Sequence, residues 1–328
     1  MKFDVITIGG ATEDMSLYTS EGVLVNNKKD LLRQQLIGFE YGAKLLVDRA
    51  ISAFGGGAAN AAVSLSRLGL KTACLAAVGD DARGQEIIKN FKKEKVDTSF
   101  IQVKKGEVSG FSPIIIGQGS EHVSFSVRGA NANLEISNAS LRFLASTKWI
   151  YLTSLSGKWK EVLDKVFSVS GPKIAWNPGH IQLSAGKRLL SKYLKETDLL
   201  IVNIDEAREL IMSDPAYKRK PKKFFDDPKA MAKLINSWGP KTVVITLGAG
   251  GASAWYEDEF FRIPAVKIKS NVNTVGVGDA FGSTLVAGLE HYHGNILAAL
   301  QLAARNSANV TTLEGAQTGL MKWRDINK

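Results

Sequence analysis

The stretch NTVGVGDAFGS, Asn273 to Ser283, places two glycines immediately before an aspartate where an apolar helix begins. Phe281, Leu285 and Leu289 recur at helical spacing, so Gly276, Val277 and Gly278 fall at a helix N-terminus. The first N–H groups of a helix have no intrahelical partner, and the helix dipole favours an anion beside them. The glycines let the backbone approach that anion closely. Asp279 is then a first-turn carboxylate at the anion's edge. Such a carboxylate can accept a hydroxyl proton while the N–H groups stabilise charge on a phosphoryl group in transfer. A plain turn with a helix cap is the competing reading, but it would not need both glycines.

Other candidates carry two readings each. GGGAAN (55–60) is either a helix start packed closely through small residues, or a place where backbone meets a polyhydroxylated ligand, with Asn60 offering both donor and acceptor. Asp14 lies shortly beyond the first strand, where α/β sheets bind ligands, or is an ordinary turn residue. In NIDE (203–206), Asn203 and Glu206 form a capping box; they also share a helix face, and Glu206 could hold the waters of a Mg²⁺ ion near phosphates. TLGAGGAS (246–253) is a glycine-rich turn into a hairpin, or a place where Thr246, Gly248 and Gly251 contact nucleotide phosphate or ribose. No P-loop and no protein-kinase catalytic-loop signature is present.

These residues sit on a recognisable rhythm. Short apolar runs at 3–9, 72–79, 148–152, 172–176, 198–202 and 241–248 read as buried strands. Helical patterns lie at 56–70, 83–95, 204–212 and 228–238. Alternation of strands and helices predicts an α/β fold with a doubly wound, mostly parallel sheet. Residues 12–50 and 104–130 break the rhythm with hairpin-like, β-rich runs. They are expected to form a small β lid, leaving 1–11, 51–103 and 131–328 as the core.

The bulk numbers agree with this picture and exclude others. The chain has 328 residues, 45% hydrophobic and 23% charged, an ordinary globular mix. The single cysteine, Cys74, rules out an intramolecular disulfide and lies in an apolar run that argues against a reactive thiol. No apolar stretch is long enough for a membrane span and the N-terminus does not read as a signal peptide, so a soluble, cytoplasmic protein is expected. The net charge of +10 suits anionic small substrates; the basic run YKRKPKKFF (217–225) reads as a solvated loop, with no nucleic acid expected as partner. The four histidines form no metal set; His291 and His293 point to different helix faces and both are expected to touch solvent.

Together these motifs resemble the ribokinase-like (pfkB) carbohydrate kinase family over nearly the whole chain. The family's C-terminal signature, D-T-x-G-A-G-D-x-F, is matched from Asn273 to Phe281, and its G-G-x-x-x-N motif from Gly55 to Asn60. RLGLKTACLAAVGDDARG (67–84) resembles the family's continuation, and Asn203 and Glu206 match its N-x-x-E. The resemblance implies a kinase that uses ATP and Mg²⁺ to phosphorylate a sugar hydroxyl, a nucleoside being the alternative acceptor. It implies Asp279 as base, Gly276, Val277 and Gly278 as anion hole, and Asn203 and Glu206 as organisers of phosphate and Mg²⁺. Thr246 and Gly248 would contact ATP, Asn306 would face adenine, and Asp14, Gly56 and Asn60 would grip substrate hydroxyls. The lid would also serve as a homodimer contact.

Two positions depart from the family pattern. Asn273 replaces the usual Asp, and the missing charge argues against activation by K⁺. Val277 replaces a small residue but keeps its backbone N–H, so activity is expected to persist. In SVRGANANL (126–134), Arg128 or Asn131 could reach a sugar hydroxyl or carboxylate, or could be a lid-surface arginine and a turn asparagine. A catalytically silent sugar- or nucleotide-binding regulator is the reading from outside the enzyme class.

Overall fold

The computed structural model describes residues 2–27, 35–117, 122–268 and 274–326. In chain order its strands are β1 (Val5–Ile8), β2 (Thr12–Tyr18), β3 (Val23–Asn26), β4 (Gln35–Gly38), β5 (Arg49–Gly55), β6 (Thr72–Leu75), β7 (Ala77–Gly79) and β8 (Gln102–Lys104). They continue as β9 (Gly110–Ile116), β10 (His122–Ser124), β11 (Trp149–Leu152), β12 (Lys173–Trp176), β13 (Leu199–Asn203), β14 (Thr242–Thr246), β15 (Ala252–Tyr256) and β16 (Glu259–Ile263). An eight-stranded sheet runs β16-β15-β14-β13-β12-β11-β1-β6. Its strands from β6 to β14 pair in parallel, and only β15 and β16 are antiparallel. The expected mostly parallel sheet is present.

The apolar runs are continuous because both faces of this sheet are covered. In β1, Ile6 and Ile8 pack into the layer on one side, while Val5 points into the layer on the other. In β11, Ile150 and Leu152 share the first layer, and Trp149 and Tyr151 the second. This is the period-2 alternation of a strand buried on both sides. The second layer holds the helices Gly57–Arg67, Val277–His291 and Ile296–Val310, whose small residues allow close packing. A β-carbon at Gly288 would stand 2.8 Å from the Ala299 Cα.

The chain passes from β1 to its neighbour β6 and later returns on the opposite side of β1 as β11. Strand order therefore reverses at β1, and a crevice opens beyond the carboxyl ends of β1 and β11, where open α/β sheets bind ligands.

A second sheet runs β10-β9-β2-β5, with β3 and β4 as a separate antiparallel pair. Strand β5 continues to Gly55, so the small sheet extends past the expected boundary at residue 50. The run at 72–79, expected as one strand, is two: β6 stays in the large sheet and β7 turns away to pair with β8. Ion pairs from Arg83 to Glu13 and from Arg49 to Glu314 tie the small sheet to the core. The turn expected at GQGS lies largely outside the described residues, as does Asn273. Cys74 is fully buried and its thiol is pushed up to about 12 by that burial, in keeping with an inert side chain.

Candidate active site

Gly276 begins the Val277–His291 helix with φ 77°, the left-handed region that glycine favours. A β-carbon there would also press into Ala316. The first intrahelical bond is donated by Ala280 to the Gly276 carbonyl. The N–H groups of Val277, Gly278 and Asp279 precede it and have no partner within the helix. A β-carbon at Gly278 would meet no atom within 4 Å, so this turn is open above its backbone.

Asp279 stands on that turn at the wall of a cavity of about 200 Å³. Gly9 and Gly10 enter the cavity from the end of β1, and Ser154 from just beyond β11. Asp14, Gly56, Asn60 and Arg128 also line it. Sequence-predicted residues as far apart as Asp14 and Asp279, with Gly276 and Asn131 among them, thus converge on one crevice at the strand-order reversal.

The Asp279 Oδ2 accepts a 2.8 Å hydrogen bond from the Asn60 side-chain amide. Burial raises the Asp279 carboxyl to about 6, against the lowering effect of Asn60 and with a further push from the Asp14 charge. Gly57 makes room for this pair: a β-carbon there would stand 3.2 Å from the Asp279 Oδ1. The other end of the Asn60 amide is engaged as well: its Oδ1 accepts from the Gln317 side chain at 3.0 Å. Its geometry assigns it to the carboxylate first.

Asp14 lies on β2 of the small sheet, and burial raises its carboxyl above the usual range. The Thr12 hydroxyl donates to its Oδ1 at 2.9 Å. Arg128 is exposed at the cavity, and its guanidinium makes no ion pair or hydrogen bond among the described residues. Asn131 is different. Its amide donates to the Ala11 carbonyl at 2.9 Å and accepts from the Ala11 N–H at 3.1 Å, so it pins the β1–β2 connection.

A second group gathers at the carboxyl ends of β13 and β14, where Asn203 and Thr246 stand side by side in register. The Asn203 side chain accepts from the N–H groups of Asp205 and Glu206 at 2.9 Å each, and the Glu206 carboxylate accepts from the Asn203 N–H at 2.8 Å. The capping box is therefore formed. Burial raises Glu206 to about 7 against that backbone bond, and the charges of Glu209, Asp279 and Asp205 push the same way. Gly248 and Gly251 flank a tight turn between β14 and β15, with φ 54° and 88°. Gly251 passes so close to the Ile263 carbonyl that only glycine fits.

These groups fit a magnesium–nucleotide chemistry. Glu206 is half-buried and the Asp279 charge pushes its carboxyl up, a repulsion that a nearby cation would relieve. Among the described residues no three acidic, histidine or cysteine side chains gather into a metal cluster.

One expectation is corrected. Asn306 is fully buried; its amide donates to the Thr284 hydroxyl and accepts from the Met321 N–H, so it fastens two helices and the C-terminal segment and does not face a ligand. His291 is half-buried: it touches solvent as expected, while its ring stacks on Trp323 at 3.7 Å with Nε2 2.8 Å from the Leu68 carbonyl. Helix-face reasoning could not see a C-terminal ring folding back onto it. His293 is exposed, as expected. Sequence reasoning missed Gln317, whose role depends on a contact 257 positions away.

Residues 29–323 match the sequence profile of the pfkB family carbohydrate kinases. A ribokinase of Haemophilus influenzae is 27% identical over 273 residues, covering 82% of this chain and 84% of that protein. Among solved structures, Arabidopsis thaliana ribokinase complexed with ribose and ATP superposes with a TM-score of 0.80 at 17% identity, covering 100% of this chain and 98% of the other. A Burkholderia thailandensis nucleoside kinase in complex with inosine gives 0.77 at 20% identity, with 98% and 96% covered. The fold is thus ribokinase-like, and the chain belongs to the pfkB family of carbohydrate kinases, which are phosphotransferases.

Proposed function

We propose that the chain transfers the γ-phosphoryl group of Mg-ATP to a hydroxyl of a small carbohydrate. The observation that carries this reading is the position of Asp279. It is a carboxylate raised to about 6, on a helix turn with open N–H groups, at the wall of a polar cavity. A base with a midpoint below neutrality is ionised at pH 7 and still basic enough to accept a proton as the hydroxyl attacks. Asp14, Arg128 and the backbone around Gly10 and Gly56 bind and orient the acceptor. The N–H groups of Val277, Gly278 and Asp279 face the charge that develops in transfer. Asn203, Thr246, Gly248 and Gly251 hold the nucleotide, and Glu206 orients the waters of Mg²⁺. ATP supplies the phosphoryl group and Mg²⁺ screens its charge when they are bound.

The cavity lining favours a sugar over a nucleoside. It consists largely of glycine, serine, asparagine, aspartate and arginine, with no aromatic ring among its described residues on which a base could stack. The test is ADP release with Mg-ATP against sugars, sugar acids and nucleosides, with Asp279→Asn in parallel. Turnover with one sugar in the native protein, lost in the variant, is the expected result. A nucleoside as sole acceptor would overturn the substrate reading, and undiminished turnover by Asp279→Asn would overturn the base. Ligand binding without turnover across the panel would favour the silent regulator.

A further inference from the structure

Asp279, Asn60, Gln317 and Asn90 form a single file of hydrogen bonds. The Asn60 Nδ2 donates to Asp279 at 2.8 Å, the Gln317 Nε2 donates to Asn60 Oδ1 at 3.0 Å, and the Asn90 Nδ2 donates to Gln317 Oε1 at 2.9 Å. Each amide in this file points the same way. A primary amide has one donating and one accepting end, so engaging one end determines which end faces the next group. Asn90 gives Gln317 its orientation, and Gln317 gives Asn60 its orientation. Turning Asn60 over would place its oxygen against the Asp279 carboxylate and its nitrogen against the Gln317 donor.

The far end of this file is built to stay in place. Gln317 is 7% exposed. Its carbonyl and that of Leu320 accept from the Arg67 guanidinium at 2.7 and 3.1 Å, and Arg67 is held in a two-pronged pair with Glu94 at 2.8 Å per bond. The neighbouring residue, Ala316, backs Gly276 at the helix start. One C-terminal segment therefore supports both the carboxylate and the backbone turn beside it.

We propose that Gln317, oriented by Asn90, is a positioning residue that holds Asn60 as a hydrogen-bond donor to Asp279. This rests on the reading of Asp279 as the base. Loss of Gln317 frees Asn60 to rotate, which weakens the bond that favours the ionised carboxylate. The other groups bearing on Asp279 are Asp14 from the small sheet, Tyr151 from β11, Glu206 from the Ile204–Met212 helix and Arg128 at the cavity. None of them touches Gln317 in the bonds described above, so they are common to native protein and variant.

The experiment is a titration of the Asp279 carboxyl by NMR in ¹³C-aspartate-labelled full-length protein, the resonance being assigned by its loss in Asp279→Asn. Gln317→Met removes both ends of the amide. Gln317→Glu keeps the shape and replaces the donor by an acceptor, and Asn90→Leu leaves Gln317 present but unanchored. The expected result is a midpoint raised by at least about half a pH unit in the Gln317 variants and by less in Asn90→Leu. Folded Gln317 variants with an unmoved midpoint would overturn the proposal. A raised midpoint together with undiminished turnover by Asp279→Asn would uphold the relay and remove the base assignment, so the two readings fail separately.

Discussion

Gly55 leaves room for Asp14: a β-carbon added to Gly55 would overlap the Asp14 carboxylate. The obstacle is the far end of a flexible side chain, so the carboxylate can swing aside at small cost in folding. It then leaves the place from which it faces the cavity. Gly55→Ala is expected to change thermal stability by less than about 1 kcal/mol. The acceptor KM should rise roughly tenfold or more, as one charged hydrogen bond is lost. The ATP KM should stay unchanged. Steady-state kinetics with a melting curve read both, and an unchanged acceptor KM would remove Asp14 from the acceptor site.

Asp279→Asn is expected to reduce kcat by roughly 10²- to 10⁴-fold, the usual contribution of a positioned base. In the native protein, activity should fall as pH drops through about 6, because the base then carries its proton. Stability runs the other way. A carboxyl raised from 3.8 to about 6 binds protons more tightly in the folded state, so its contribution is fully present below pH 3.8 and lost as pH rises through about 6. Asp279→Asn should therefore melt higher than native protein at pH 8, by up to on the order of 3 kcal/mol. At pH 3.5 that gain should vanish; unfolding curves at the two pH values check the sign.

Glu206 has a folding duty as well as a proposed magnesium duty, and Glu206→Gln separates them. A glutamine oxygen can still accept from the Asn203 N–H, so the capping box survives. Stability is expected to hold or rise slightly, while the Mg²⁺ concentration for half-maximal turnover rises roughly tenfold. A magnesium titration at fixed ATP measures this, and an unchanged midpoint would leave Glu206 as a cap alone.

The pair β3–β4 exposes apolar side chains that a lone surface hairpin would not: Val23, Leu24 and Val25 are 65%, 59% and 45% exposed. Such a patch marks an interaction surface, and a second copy of the chain is the expected cover. Native protein should sediment as a dimer and Leu24→Lys as a monomer. A native monomer at micromolar concentration would reject the lid contact.

Sequence alone determined the sheet, because a strand buried on both faces must be apolar throughout, as Val5–Ile8 and Trp149–Leu152 are. It also determined the helix start at Gly276 and the cap at Asn203, since both depend on residues a few positions apart. Local chemistry reaches no further. That Asn60 serves Asp279, that Gln317 orients Asn60, that Asn306 is spent on Thr284 and Met321, and that His291 lies under Trp323 were decided only by the tertiary fold. An asparagine or histidine offers the same donors and acceptors wherever it stands, and only packing chooses which partner comes within reach.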